Sequence, residues 1–357
     1  FEYAYQQAQK YGRVYGGYTP TQKVLVVNDA KLARDLSVKE WSKFPIRFSS
    51  LEHLTPIISN SLFFSPTNEK WKRIRGLMTP AFTAVKLRKM MTPVGGIADN
   101  FVANLRPMAR TNEEFDLKRH ISAYTMDVIC ACAYGIELDS LTQQHHPLAL
   151  NAKKILNTDI TLSRIVCFAL PRLAKWLSLD VYSHEAIDFF NRLVFKFLDA
   201  RAQASAADRN QTLNLISLMI ENSDDIRNGN HNKGDNSATK AAPLSADEIS
   251  SQGIMFFIAG YDTTHATFDH IVYYLCKYPQ WQEALYREVA EKCDQLDYEH
   301  LRELPILNAI INETLRLNPP IVLFPREAAQ DCTLLDTGLR VPKNTIVLIQ
   351  PYVIHRD

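Results

Sequence analysis

A chain of 357 residues that is 46% hydrophobic and 22% charged is long enough to bury a sizeable core and is ordinary for a globular protein. Its formal charge of +1 leaves no electrostatic footprint for nucleic acid, and it contains no run of about 18 apolar residues able to span a bilayer. Six cysteines (Cys130, Cys132, Cys167, Cys276, Cys293, Cys332) are scattered without a CxxC pair, so reduced thiols are expected rather than a zinc cluster.

In chain order, residues 1–11 read as a short helix ending at Gly12, followed by two β-rich runs, 13–18 and 23–27, around the hairpin signal Thr19-Pro20-Thr21-Gln22. Asn28 and Asp29 can cap a helix to about Leu36. Residues 41–66 form a long loop with apolar punctuation. Helices are predicted over 69–78, 87–105 (weakened at Gly95-Gly96), 117–134, 147–156, 170–177 and 184–207. Residues 221–243, rich in Asn, Asp, Gly, Ser and Lys, lack periodicity and read as a flexible surface connection within a single domain spanning 1–357. Beyond a long helix come further helices at 280–296, near His300 and from Pro305 to before Pro319. A β region follows Ile321, with Pro342-Lys343-Asn344 as a turn. The fold class is mainly α, a helical bundle around one long central helix with a small β region.

That central helix runs from Ala246 to about Tyr278. Ser245 can cap it, Glu248 completes a capping box, and Leu244 with Ile249 supplies a hydrophobic staple. Roughly 33 residues would span about 50 Å, enough to cross a domain. Its first half is crowded with apolar side chains, and then Ala259-Gly260-Tyr261-Asp262-Thr263-Thr264 interrupts the pattern with weak helix formers that are costly to bury. Two readings fit. Gly260 and Ala259 could admit a flat ligand to the backbone while Asp262 and Thr263 handle protons; or the stretch is a kink with its hydroxyls satisfied inside the helix.

Two further constellations carry chemistry. Glu313 and Arg316 lie three apart, with Glu313 in line with Ile306, Ile310 and Leu317, so a buried ion pair is expected, whose rupture costs roughly 3–5 kcal/mol; an exposed i,i+3 pair is the alternative. Trp71 and Arg75 sit one turn apart, where an indole N–H and a guanidinium could converge on a carboxylate; a packed Trp beside a solvated Arg is the plainer reading.

Taken in order, Trp71-Lys72-Arg73-Ile74-Arg75 with Pro80 and Phe82, then Ala259 to Thr264, then Glu313-Thr314-Leu315-Arg316 with Pro319-Pro320 and Arg326, resemble the cytochrome P450 family over essentially the whole chain. Asp127-Val128-Ile129, Cys132 through Gly135 and His355-Arg356-Asp357 look most like its microsomal animal members. The resemblance implies a haem-thiolate monooxygenase that inserts one oxygen atom from O2 into a lipophilic small molecule. Electrons would come from NADPH through NADPH-cytochrome P450 reductase, at the cytosolic face of the endoplasmic reticulum membrane. It implies that Trp71, Arg75, Arg326 and Arg47 hold haem propionates, that Ala259 and Gly260 lie against the haem, and that Asp262 and Thr263 relay protons to dioxygen. Glu313 and Arg316 would be the structural pair. Substrate contacts would come from residues 48–64, from Phe256 and Phe257, and from Ile321, Val322, Leu323 and Phe324.

One departure stands out: no Phe-x-x-Gly-x-x-x-Cys-x-Gly loop is present, and none of the six cysteines lies in such a setting. The chain therefore reads as a C-terminally truncated piece whose iron ligand follows Asp357 and whose membrane anchor precedes Phe1, and which does not by itself form a thiolate complex. Residues 160–179, with Phe168, Leu170, Leu173, Trp176 and Leu177 beside Arg172 and Lys175, suit a membrane surface or a lid over the substrate cavity. Two other classes compete: a di-iron site begun by Asp262, His265 and Asp269 on one helical face, and a catalytically dead relative or helical interaction protein.

Overall fold

The computed structural model describes residues 2–18, 22–47, 59–65, 67–111, 114–143, 145–156, 159, 161–203, 214–227, 242–292, 297–334 and 337–356. Its residues fall into two compact units: Phe1–Lys72, Asp159–Val181 and Asn312–Asp357 form one, Arg73–Thr158 and Tyr182–Ile311 the other.

The first unit is built on a mixed sheet. Strands β1 (Val14–Tyr18) and β2 (Lys23–Val27) form the expected antiparallel pair, and β3 (Phe324–Glu327) pairs antiparallel with β6 (Ile346–Ile349). β2 lies parallel to β6, Val27 opposite Ile349, giving the order β1-β2-β6-β3. The turn at Pro342–Asn344 does not close a hairpin onto β6. Instead β5 (Arg340–Val341) pairs with β4 (Cys332–Thr333), and Asn344 takes a left-handed φ of 64°. Against the sheet, the helix Ala30–Val38 is capped by Asp29, whose carboxylate accepts from Leu32 N at 2.7 Å. Leu32 and Leu36 then meet Val27, Phe44, Val347 and Ile349 in one apolar cluster.

The second unit is helical and is organised around Ala246–Lys277, 32 residues long. Ser245 and Glu248 make the reciprocal capping box, and Leu244 and Ile249 are buried as a staple requires. Arg73 adds its guanidinium to the carbonyls of Ala242 and Pro243 at 3.1 Å and to the Glu248 carboxylate. The helix Leu117–Ile129 packs along the beam and ends in a π-turn, Cys130–Tyr134, closed by Gly135 at φ 66°. The sequence read these as one continuous helix. A helix also runs unbroken from Ala84 to Thr111 through Pro93 and Gly95-Gly96, longer than the expected 87–105, since packing against Leu117–Ile129 outweighs local propensity.

The expected connection at 221–243 starts too early. Leu215–Arg227 is helical with Leu218 and Met219 buried, so apolar contacts order a stretch whose polar tail suggested a loop. Residues 228–241 lie outside the described residues, as do 48–58, which belong to the expected substrate loop.

Candidate active site

In the second unit, the first half of the long helix is sealed. Ile254 and Phe257 are buried, and Gly253 leaves room that a Cβ would contest with Tyr134 Oη and Val194 Cγ2, each at 3.3 Å. Burial stops at Ala259, which is exposed, as is Thr264. Thr263 Oγ1 donates to the Ala259 carbonyl at 2.6 Å, so the helix is closed here and the hydroxyl is held one turn from the open alanine. Asp262 is half-buried. Burial raises its carboxyl pKa, and the charge of His265 opposes that rise.

Two expectations for this helix need correction. Gly260 was expected to admit a flat ligand, but a Cβ there would come 2.7 Å from Ile129 Cδ1, so the glycine is required by helix packing against Leu117–Ile129. Phe257 was expected to touch substrate, but its ring is fully buried against Tyr134 and Phe190, with centroids 5.7 and 5.1 Å away. Its neighbour Phe256 turns the other way and meets the half-exposed Phe82 edge-on at 5.9 Å.

In the first unit, the antiparallel bridge between Ile46 and Glu327 places Arg47 across from Arg326. Arg47 lies 5.6 Å over the Trp71 ring. The Trp71 indole N–H donates to the Leu62 carbonyl at 3.0 Å, which corrects its expected role: it is tied to the backbone and serves Arg47 as a platform. Arg326 donates to the Pro325 carbonyl at 2.8 Å, has no carboxylate at ion-pair distance among the described residues, and has its pKa lowered by burial. Arg75, exposed on the helix Glu69–Met78 that also carries Trp71, falls in the second unit.

The helix Pro305–Leu317 brings Glu313 and Arg316 together in two hydrogen bonds of 2.7 Å, and Arg316 also donates to the His355 carbonyl at 2.7 Å. The expected burial is absent. The Glu313 and Arg316 side chains are 56% and 44% exposed, because Thr314 takes the inward position. The Arg316 guanidinium holds the Glu313 carboxyl below its ordinary value. Beyond this helix, Ile321, Leu323 and Phe324 are exposed. Ile321 and Phe324 border an open apolar groove of about 420 Å³ with Ala33, Leu315, Pro319 and Ile354.

These features can be tested against haem. A half-buried guanidinium with no carboxylate at ion-pair distance among the described residues, with a second arginine across the strand pair, is a place where an anion would share the charge. A propionate supplies that anion, so Arg326 and Arg47 fit the group. The open face at Ala259 and Thr263, beside a carboxyl whose pKa burial raises, is compatible with a haem face. The cysteines fit less well. A thiolate ligand needs a lowered pKa, whereas burial raises the thiols of Cys130, Cys132, Cys167 and Cys332, and Cys293 lies outside the described residues. Among the described residues no three His, Cys, Asp or Glu side chains gather to hold a metal ion, so the second ligand set a di-iron centre needs is not supplied.

The helical architecture with its small β region is that of a haem monooxygenase of the P450 type. Residues 1–357 match the family model described as Cytochrome P450, and the chain belongs to that family. Among similar proteins are Cytochrome P450 3A15 of Cavia porcellus, 30% identical over 98% of this chain and 67% of its own length. Cytochrome P450 3A7 of Homo sapiens is likewise 30% identical over 98% of this chain and 67% of its own. Cytochrome P450 3A28 of Bos taurus is 31% identical over 100% of this chain and 68% of its own. The chain thus spans about two thirds of the length of these relatives. As a P450 monooxygenase it uses haem iron, acts on a small molecule and takes electrons from a redox partner.

Sequence reasoning singled out Asp262 as a proton handler but His265 and Asp269 only as metal ligands beside it, and it quoted Asp127 as part of a family motif without foreseeing its burial. The spacing of the first three was visible. The pairing of Asp127 gave no signal, because its partner Ser140 lies in a loop without a pattern of its own.

Proposed function

We propose that the substrate is lipophilic and that electrons come from NADPH through NADPH-cytochrome P450 reductase, at the cytosolic face of the endoplasmic reticulum membrane. The exposed Ile321, Leu323 and Phe324, with Val322 partly exposed between them, support a lipophilic substrate, since apolar walls recognise apolar compounds with few polar constraints. Haem, when bound, supplies oxygen activation, its thiolate ligand favouring O–O cleavage. Arg326 and Arg47 neutralise the propionates, Arg75 is the further candidate, and Trp71 keeps Arg47 in place. Glu313 and Arg316 keep the Pro305–Leu317 helix tied to the His355 backbone.

The observation that carries this reading is the half-buried Asp262 next to Thr263, whose hydroxyl is fixed at 2.6 Å from the Ala259 carbonyl. Burial raises the Asp262 carboxyl pKa, which suits it to passing a proton, and Thr263 presents a hydroxyl on the open face. In the haem-loaded enzyme, Asp262→Asn and Thr263→Ala should lower product formed per NADPH consumed at least ~10-fold while NADPH oxidation continues. Product yields equal to wild type in both variants would remove the proton-handling role.

A further inference from the structure

The first signal is a side chain whose surroundings ask for a charge. His265 lies one turn beyond Asp262 and one turn before Asp269 on the long helix, so the three share a face. Its Nε2 is shut off from solvent and 3.1 Å from Asp269 Oδ2, an ion-pair distance at which no hydrogen bond is aligned. The ring lies parallel to that of Tyr261, with centroids 5.7 Å apart and planes 8° from one another. Ser122 on the neighbouring helix lies close to Tyr261 and offsets part of the effect of burial on its hydroxyl.

A histidine used only for packing would be expected to settle one ring nitrogen in a well-aligned bond. Here Nε2 meets the Asp269 carboxylate off-line beside the Tyr261 ring, an arrangement that leaves the nitrogen uncommitted to a single bond. The groups that reach this position can be named. On the long helix they are Tyr261, Asp262, Asp269 and His270. From Leu117–Ile129 come Lys118 and Ser122, with Asp116 just ahead of it, and Ala84–Thr111 contributes Phe101, against Phe268. Burial raises the Asp269 carboxyl pKa, and His265, Lys118 and His270 oppose the rise. At Asp262 burial is opposed by one named charge, that of His265.

We propose that His265 is a positioning residue for oxygen chemistry, setting the charge of Asp262 and returning protons to it along the line Asp269, His265, Asp262. This rests on the reading of Asp262 as the proton-handling carboxylate. The step balances: the imidazolium of His265 gives its proton to ionised Asp262, leaving a neutral ring and a neutral acid. The ring then recovers a proton from water at the Asp269 edge, whose side chain is 23% exposed against 14% for His265.

The test is a titration followed by NMR on the chain labelled with 13C at aspartate carboxyls and 15N in histidine rings, with Asp262→Asn and His265→Gln assigning the signals. In His265→Gln the Asp262 midpoint should move to higher pH, because the opposing charge is gone and burial remains. In Asp269→Asn the His265 ring should titrate at lower pH, because its carboxylate partner is gone. An Asp262 curve that superimposes on wild type in a folded His265→Gln protein overturns the proposal. If that variant fails to fold, an unmoved His265 midpoint in Asp269→Asn overturns it equally. Neither measurement involves haem, so a negative result leaves the family assignment standing. Unchanged product yield in Asp262→Asn, with the titrations coupled, would instead remove the catalytic purpose and leave the relay.

Discussion

Asp127 shows how one buried group writes itself into the stability of the protein. It is 7% exposed, and its carboxylate accepts from Ser140 N at 3.0 and 3.2 Å and from Ser140 Oγ at 2.5 Å. Burial outweighs these bonds and lifts its pKa to about 6. The folded value exceeds the unfolded one, so the folded state binds the extra proton. The associated stability is fully present below about pH 4 and is lost as the pH rises to about 6, at most about 3 kcal/mol in all. Asp127→Asn keeps an acceptor for Ser140 and removes the titration. Urea unfolding at pH 4 and pH 7 should therefore show a smaller fall in stability for the variant than for wild type. Parallel falls would mean that Asp127 is solvated in the folded chain.

The long helix is held by features of two kinds. Its capping box is local, whereas Gly260 is explained by a residue more than a hundred positions away. Gly260→Ala gains about 1 kcal/mol in helix propensity but drives a Cβ to 2.7 Å from Ile129 Cδ1. Overpacking of this sort costs roughly 1–3 kcal/mol, so the variant should be neutral or destabilised. Ile129→Val removes the opposing atom. In a double-mutant cycle read by denaturant unfolding, Gly260→Ala should then be better tolerated than in the wild-type background, with a coupling of about 0.5 kcal/mol or more. Strict additivity would show that the two helices do not meet at this point.

For the molecule as a whole, the surface of two short helices bears on where the enzyme works. Leu162–Ala169 and Pro171–Trp176 leave Leu162, Ile165, Leu170, Leu173, Trp176 and Leu177 exposed, Trp176 by 79%. No helix among the described residues is long and apolar enough to cross a membrane, but a cluster of this kind with Lys175 beside it suits the interfacial zone of a bilayer. Leu173→Glu with Trp176→Glu should reduce cosedimentation with phosphatidylcholine-phosphatidylserine vesicles several-fold while leaving circular dichroism unchanged. Binding equal to wild type would assign the face to another purpose.

Much of this was legible along the chain. Ser245, Glu248 and Pro279 announced the ends of the long helix, Asp29 the start of another, and the spacing of Trp71, Asp262-Thr263, Glu313 and Arg316 the family, because caps, breakers and short motifs act within a turn or two of themselves. Where packing partners come from distant segments, local pattern is silent. Only the folded chain set β2 parallel to β6, put Ile129 against Gly260, turned Phe257 into the core, left Glu313 in solvent and joined Asp127 to Ser140. Each of these depends on which surfaces meet, and apolar burial over many residues decides that more strongly than the preference of any one of them.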